Sequence, residues 1–148
     1  ATIGGDGAPQ NRTVVLRGVD EPGRRLWFHT DARSPKAAEI AARPRIALLF
    51  WDPKARLQLR CAATAALRAE DAFAEAEWAR LNAAQQALYE SAQTPGALLD
   101  APPATTAGRA AFVVVDCAVD AIDALVLDRG GHRRMRIDRD GQAVPVAP

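Results

Sequence analysis

Histidine, serine and cysteine are scarce in this chain of 148 residues, and their scarcity excludes several kinds of chemistry. His29 and His132 are the only histidines, and neither a Cys-x-x-Cys nor a His-Glu-x-x-His spacing occurs. We therefore expect no metal site. Ser34 and Ser91 are the only serines, and neither stands in the sequence context of a hydrolase nucleophile, which argues against a Ser-His-Asp triad.

Long apolar runs are also absent. None approaches the roughly 18 residues that a membrane-spanning helix needs, so we expect no membrane partner. The only cysteines, Cys61 and Cys117, lie in apolar stretches, which is typical of buried free thiols in a reducing compartment. No secretory signal is visible, and because the chain enters a strand at Ala1 we expect further residues upstream. The prediction is a cytoplasmic protein.

An excess of charge of either sign is missing as well. Lys plus Arg is 19 and Asp plus Glu is 18, which leaves a net charge of +1 and gives no reason to expect a nucleic-acid partner. Hydrophobic residues make up 49% and charged residues 25%, which are ordinary values for a globular protein. Length and composition together predict a single domain over residues 1–148.

Turn signals and apolar runs predict a mainly β domain. The glycine-rich segments 4–7 and 20–23 each contain Asp and are typical of tight hairpin turns. Turn signals recur every 8 to 12 residues, which favours an antiparallel barrel or sandwich. Strands are predicted at 1–3, 12–19, 26–30, 45–51, 56–67, 110–119, 122–127, 132–138 and 143–146.

Helical signals occur in two places. Ser34 and Pro35 suit the N-cap and first position of a short helix that ends before Pro44. Residues 70–91 carry apolar side chains at spacings near three and four, which predicts one helix, or two with a break near Asn82. Two aromatic residues of this segment, Trp78 and Tyr89, are expected to pack in the core or in a dimer interface. Residues 94–108, rich in proline and glycine, are predicted to form a loop.

An apolar strand with an arginine at each end is the first candidate for chemistry. Strand alternation over 12–17 would place Arg12 and Arg17 on opposite faces, so one guanidinium would point inward. A buried arginine needs an anion to meet it. The partner is either a ligand or a carboxylate of this chain, Asp31 or Glu39.

A second basic element follows at the start of the short helix. Free backbone N–H groups, the Ser34 hydroxyl and the Lys36 ammonium would converge there close to Thr30, an arrangement that suits a phosphate group. The alternative is that Ser34 serves only as an ordinary N-cap.

These segments together resemble the pyridoxamine 5′-phosphate oxidase family of FMN-binding split barrels. The resemblance rests on Arg-Thr-Val-Val-Leu-Arg-Gly-Val-Asp-Glu at 12–21, Trp-Phe-His-Thr-Asp at 27–31, Ser-Pro-Lys at 34–36 and Pro-Arg-Ile-Ala-Leu-Leu-Phe-Trp at 44–51. It implies an antiparallel, Greek-key-like split barrel with a short helix after the third strand and a helical segment in the middle.

The resemblance also implies a set of cofactor-binding residues. By it, four side chains hold the phosphate of FMN: Arg12, Thr30, Ser34 and Lys36. Residues expected along the ribityl chain and ring are Val14, Val15, Leu16 and the backbone near His29. The same binding segments include Thr13, Arg17 and Pro35. Gln58 and Arg136 would reach the ring from a second subunit, because these barrels bind flavin at the interface of a homodimer.

Departures from the family pattern bear on activity. The family usually has an aromatic residue at the position of His29 and an arginine at that of Pro35. The residues with which the true oxidases grip their substrate are not recognisable here. The resemblance therefore implies an FMN-dependent oxidoreductase of unknown substrate, closer to the uncharacterised flavin-binding branch than to the vitamin-forming enzyme. Alternatives are a non-catalytic module that binds or stores flavin, and a haem- or deazaflavin-binding relative.

Overall fold

The fold is known from a computed structural model that describes residues 1–98, 100–102, 104 and 107–148. Its strands are β1 (Thr2–Ile3), β2 (Pro9–Gln10), β3 (Leu16–Asp20), β4 (Arg25–Asp31), β5 (Arg45–Asp52), β6 (Leu57–Arg68), β7 (Phe112–Val126), β8 (Arg133–Ile137) and β9 (Ala143–Val146). Its helices are α1 (Pro35–Ala42), α2 (Ala72–Ala79) and α3 (Ala83–Ala87), and a 3-10 turn covers Gly108–Ala111. In these described ranges, no helix has both the length and the hydropathy to cross a membrane.

The sheet is organised around β7, which spans 15 residues. Its strands are hydrogen-bonded in the order β3-β4-β7-β6-β5, while β8 pairs with β7 and β9 with β8, and every pairing is antiparallel. β4 therefore lies beside β7 instead of its successor β5, as in a Greek key. β3 and β5 are the edge strands at the ends of this path, and β9 is the edge of the branch through β8.

The sheet buries residues on both of its faces, because β7 begins with a run of buried residues from Phe112 to Cys117. On one face the barrel core gathers Val115 and Cys117 of β7 with Leu26, Phe28, Ile40, Ile46, Cys61 and Ala63. On the other face Phe112 and Val114 pack with Ala74 and with the half-buried Trp27, Phe73, Trp78, Leu81 and Tyr89. Helix α2, with Leu81 before α3 and Tyr89 after it, covers this second cluster, and the expectation that Trp78 and Tyr89 are packing residues is confirmed.

One glycine is required where β3 crosses Trp27. A Cβ atom on Gly18 would lie 2.1 Å from Cζ2 of the Trp27 indole, far inside any tolerable contact. The register of β3 against β4 shifts between Leu16 and Gly18, which marks a bulge at the same place. Gly18 therefore allows the indole to lie across β3.

Two aspartates of β7 tie it to its neighbours through arginines. Asp116, 2% exposed, bonds Arg25 of β4 and Arg68 of β6. Asp123 bonds Arg60 of β6 and Arg134 of β8. Hydrogen bonding from Arg134, supported by Arg60, holds the pKa of Asp123 well below its ordinary value.

The helical predictions are confirmed. α1 begins with Ser34 as its N-cap and Pro35 at its first position. The central segment is two helices, and Asn82 starts the second with a capping box to Gln85. These features depend on neighbouring residues in the sequence, which is why the local pattern was sufficient to locate them.

The predicted strands differ from the structure in two places. Residues 11–15 form no strand, so the inference that Arg12 and Arg17 point to opposite faces of one strand does not apply. Alternation is enforced only where a neighbouring strand pairs with the segment, and none pairs with 11–15 among the described residues. The two strands predicted at 110–119 and 122–127 are one strand, β7, in which the pairing with β6 skips Asp120 as a bulge.

We predict that Phe112 is the residue on which the second cluster depends. It is fully buried, and its ring centroid lies 4.8 Å from that of His29 and 5.2 Å from those of Trp78 and Tyr89. Phe112→Ala should lower the free energy of unfolding in urea by about 3–5 kcal/mol. The control Leu88→Ala, at an exposed position, should change it by less than about 0.5 kcal/mol. A loss below about 1 kcal/mol for Phe112→Ala would contradict this assignment.

Candidate functional site

Three polar side chains meet where β4 leads into α1. Lys36 Nζ donates a hydrogen bond to Thr30 Oγ1 at 2.9 Å, and Thr30 Oγ1 lies 3.3 Å from Ser34 Oγ. Ser34 occupies the N-cap position, but its side chain makes no capping hydrogen bond. The simple N-cap alternative therefore lacks its defining contact, and the Ser34 hydroxyl is buried against Thr30 at a helix start that favours anions.

Arg12 approaches the same place from the irregular segment that follows β2. Its Nη2 donates to Glu39 Oε2 at 2.9 Å, and its Nη1 donates to Thr2 Oγ1. The Thr2 hydroxyl donates to the same Glu39 oxygen. This is one of the two carboxylate pairings expected as the alternative to a ligand. The other candidate partner, Asp31, is bound by Arg33 instead.

A cavity of about 530 Å³ opens between the segment 11–16 and the edge strand β5, and we call it the edge cavity. Arg12 and Lys36 are among its lining residues. Its apolar lining comprises Val14, Leu16, Leu26, Phe28, Ile40, Ile46, Leu48 and Phe50. The volume lies within the roughly 300–1,000 Å³ typical of small-molecule sites.

Positive charge exceeds negative charge at the end of the edge cavity that Arg12 and Lys36 line. Burial lowers the pKa of Lys36, and the charge of Arg12 lowers it further, whereas the charges of Asp31 and Glu39 raise it. Among the described residues, no carboxylate lies within ion-pair distance of Lys36 Nζ. A bound anion would stabilise both cations. We call Arg12, Thr30, Ser34 and Lys36 the polar cluster; Arg12 and Lys36 line the edge cavity, whereas Thr30 and Ser34 are buried beside Lys36 and do not. The two cations fit a phosphate group, and the apolar walls fit the body of a ligand attached to it.

His29 lies on the opposite face of β4 from the edge cavity. Leu26, Phe28 and Thr30 are buried on the barrel face, whereas His29 points into the second cluster. Its Nε2 lies 3.0 Å from Glu77 Oε2, so only the backbone of His29 borders the polar cluster.

The remaining predicted contacts fall into two groups. Thr13, Val14 and Leu16 line the edge cavity. Val15, Arg17 and Pro35 are exposed to solvent in the single chain, and Pro35 is the first residue of α1.

Gln58 and Arg136 do not line the edge cavity of their own chain. Gln58 lies on β6, where its register partner on β5 is Trp51. Arg136 lies on β8 and borders a different cavity of about 550 Å³, together with Arg60 and Asp123. Their expected contact with flavin from a second subunit stays a prediction.

Glu77 was missed from the sequence, although it organises the buried side of β4. Only 4% of its side chain is exposed, and it accepts hydrogen bonds from Trp27 Nε1 and Arg80 Nη1 in addition to its contact with His29. Burial raises the pKa of Glu77, but the bonds from Trp27 and His29 and the charge of Arg80 outweigh it, so the net shift is downward. No local pattern links Glu77 to residues about 50 positions away.

Thr2 was also missed, and Glu39 was considered only as a possible arginine partner. A usable signal for Glu39 was its place three residues after Lys36, which puts both side chains on one face of α1. No comparable signal existed for Thr2, because its contact with Glu39 spans 37 positions.

Comparison with known families gives a match over most of the chain. A family model described as pyridoxamine 5′-phosphate oxidase matches residues 1–125. A pyridoxine/pyridoxamine 5′-phosphate oxidase of Thermosynechococcus vestitus is 45% identical over 60 residues, which cover 40% of this chain and 28% of that protein. The matched segment thus spans less than a third of this relative's own length.

Solved structures agree in fold. A pyridoxamine 5′-phosphate oxidase-related, FMN-binding protein of Nostoc punctiforme superimposes with a TM-score of 0.83 at 25% identity, over 99% of this chain and 85% of that one. PhzG from Burkholderia lata, in complex with tetrahydrophenazine-1-carboxylic acid, gives a TM-score of 0.82 at 18% identity, over 99% and 79% of the two chains. The predicted split-barrel fold is confirmed.

We predict that His29 makes stability depend on pH. Burial lowers its pKa, the hydrogen bond and charge of Glu77 raise it, and the charge of Arg17 lowers it, with a net downward shift. The stabilisation by neutral His29 is therefore complete above its unfolded pKa of about 6.5 and is lost as pH falls through the lower folded pKa. Urea unfolding between pH 7.5 and 5 should show this loss in the wild type.

Two variants identify the responsible group. His29→Phe should flatten the pH dependence of the free energy of unfolding, whereas His132→Ala, at an exposed histidine, should leave it as in the wild type. Equal slopes for the wild type and His29→Phe would refute the assignment.

Proposed function

The chain belongs to the pyridoxamine 5′-phosphate oxidase family, and from this premise we propose that it binds FMN in the edge cavity and acts as an FMN-dependent oxidoreductase. The observation that carries the proposal is the polar cluster at the end of an apolar cavity. Arg12, Thr30, Ser34 and Lys36 would hold the phosphate, and the apolar lining would contact the rest of the cofactor. The FMN-binding description of the Nostoc punctiforme protein supports the choice of ligand.

Bound FMN would supply the redox chemistry, and the protein would position a substrate against it. Lys36 is well suited to the phosphate end because it is half-buried and, within the described part of the chain, donates its hydrogen bond to a neutral hydroxyl, that of Thr30. The Ser34 hydroxyl and the first turn of α1 add neutral donors. These groups bind and orient the cofactor; none of them is proposed as an acid or base for the reaction.

The absorbance spectrum of the purified protein is the most direct test of the cofactor. Flavin bands in the purified protein, or on reconstitution with FMN, would support the proposal. A colourless protein that neither quenches nor is stabilised by FMN would reject it. Preference for a deazaflavin or for haem in the same titration would favour the corresponding alternative.

We predict that Arg12 and Lys36 bind the phosphate directly. A charge-assisted hydrogen bond is worth about 1.5–3 kcal/mol, so Arg12→Ala and Lys36→Ala should each weaken FMN binding by roughly ten- to a hundredfold. Riboflavin lacks the phosphate, so its affinity should barely change. Flavin fluorescence titrations measure both constants.

Matched controls come from exposed cations outside the edge cavity. Lys54→Ala and Arg139→Ala, both in exposed turns, should leave both flavin affinities unchanged. Equal losses of FMN and riboflavin affinity in the Arg12 and Lys36 variants would mean that these residues support the fold and do not bind phosphate.

We propose further that the protein is a homodimer through the outer face of β5. Leu49 is 66% exposed and Trp51 is 51% exposed on this edge strand, which is unusual for large apolar side chains. Trp51 pairs in register with Gln58, so a partner covering this face would also meet Gln58. That geometry agrees with the expected flavin contact of Gln58 across an interface.

Light scattering at micromolar concentration tests the dimer. The wild type should give twice the chain mass of 15.8 kDa, and Trp51→Glu should shift the protein to the monomer by placing a charge in the apolar interface. Leu88→Glu, at an exposed apolar residue of the helical segment, should remain dimeric. A monomeric wild type would refute the proposal.

The second candidate function is a flavin-binding module without a dedicated substrate. One observation favours it: Trp78 of α2 and Tyr89, which follows α3, are engaged in packing against Phe112. They are therefore not free to grip a substrate.

We predict that oxidation of pyridoxine 5′-phosphate by the FMN-loaded protein is absent or very slow. The residues with which the family's true oxidases grip that substrate are not recognisable in this sequence. Steady-state assays with pyridoxine 5′-phosphate and with NAD(P)H would separate the two functions. Turnover of NAD(P)H alone would support the oxidoreductase, no turnover of either would support the storage module, and rapid oxidation of pyridoxine 5′-phosphate would overturn the prediction.

A further inference from the structure

Arg12 belongs to a network of three hydrogen bonds with Glu39 and Thr2. Its Nη2 bonds Glu39 Oε2 at 2.9 Å, its Nη1 bonds Thr2 Oγ1, and the Thr2 hydroxyl donates to the same carboxylate oxygen. Because Arg12 lies in a segment without helix or strand, its backbone does little to fix the long side chain. The carboxylate and the hydroxyl therefore determine where the guanidinium lies.

Glu39 itself is firmly placed. It is carried by α1, and its helix neighbours Ala37 and Ile40 are each only 2% exposed. The Glu39 side chain is 11% exposed, less than half the 26% of Arg12. The helix that presents Lys36 to the edge cavity thus also presents, one turn later, the group that orients the other cation.

The bonds to Glu39 and Thr2 leave Arg12 with capacity for a ligand. A guanidinium has five N–H donors, and each of these two bonds uses one of them. Arg12 remains partly exposed and lines the edge cavity. An anion can therefore bind the free donors while Glu39 keeps its own contact.

We infer that Glu39 is a positioning residue, with Thr2 as its auxiliary, which holds Arg12 so that the protein discriminates phosphorylated from unphosphorylated flavin. This inference rests on the proposed FMN site. It assigns to the Arg12–Glu39 ion pair a role in binding, whereas that pair alone could be taken as evidence that Arg12 has no ligand. The opposing possibility is that the Glu39 carboxylate competes with the phosphate for Arg12.

Substitutions at Glu39 separate its hydrogen bond from its charge. Glu39→Gln keeps an oxygen acceptor for Arg12 and Thr2 but removes the charge, and Glu39→Ala removes both. If Glu39 positions Arg12, Glu39→Ala should reduce the ratio of FMN to riboflavin affinity by about tenfold, which corresponds to about one lost hydrogen bond. Glu39→Gln should keep the ratio within about threefold of the wild type, and Thr2→Val should reduce it less than Glu39→Ala does.

A double variant shows whether the effect passes through Arg12. In an Arg12→Ala background, Glu39→Ala should cause no further change in the affinity ratio, since there is no guanidinium left to position. Glu21→Ala, which removes an exposed carboxylate in the β3–β4 turn, is the matched control and should not change the ratio.

The possible results separate the inference from the function on which it rests. A wild type that binds FMN, with Glu39→Ala and Glu39→Gln both binding FMN more tightly, would show competition and overturn the positioning role. An undiminished effect in the Arg12→Ala background, or parallel losses of FMN and riboflavin affinity, would also overturn it. A wild type that binds neither flavin would reject the proposed function itself, and the inference with it.

Discussion

The burial of β7 on both faces is the constraint from which the rest of the architecture follows. A strand that begins with six consecutive buried residues needs cover on each side and hydrogen-bonding neighbours along its length. The barrel core covers one face, and α2 with the residues that flank α3 covers the other. With β4 and β6 bonded to its flanks, β3 and β5 are left as edges, and the edge cavity lies between the chain that leads into β3 and the strand β5. The location of the candidate site thus follows from how both faces of β7 are covered and how its backbone is hydrogen-bonded.

Shared carboxylates of β7 neutralise four arginines of the neighbouring strands. Arg25 and Arg68 share Asp116, and Arg60 and Arg134 share Asp123, on the two halves of β7. Each ion pair joins neighbouring strands, and the opposite charges within it neutralise each other. Against this background Lys36 differs, because it is half-buried and its bonded partner is an uncharged hydroxyl. The candidate site is therefore distinguished by incomplete neutralisation and not by the number of its cations.

Features that depend on residues close together in the chain were predicted correctly from the sequence. Features that depend on contacts between distant residues were not. Ser34 and Pro35 start α1, and Asn82 starts α3, for reasons contained within a few positions of each. Thr13, Val14 and Val15 are β-branched, as is typical of a strand, but among the described residues no strand pairs with them, and pairing is decided by the whole sheet. The predicted grouping of Thr30, Ser34 and Lys36 was correct because it spans one turn between β4 and α1. The choice of Glu39 over Asp31 as the partner of Arg12, and the pairing of His29 with Glu77, required the tertiary structure.

The pairing of β4 with β7 also has a consequence for the time course of folding. Arg25 and Asp116, on these two adjacent strands, are 91 positions apart in the chain. Among the described strands between them, β5 and β6 form a hairpin locally. On a ribosome, β4 emerges long before β7, so only its edge toward β3 can be paired until β7 has been synthesised. Such non-local pairing is the slow step of β-rich folds, and here it waits for the synthesis of β7.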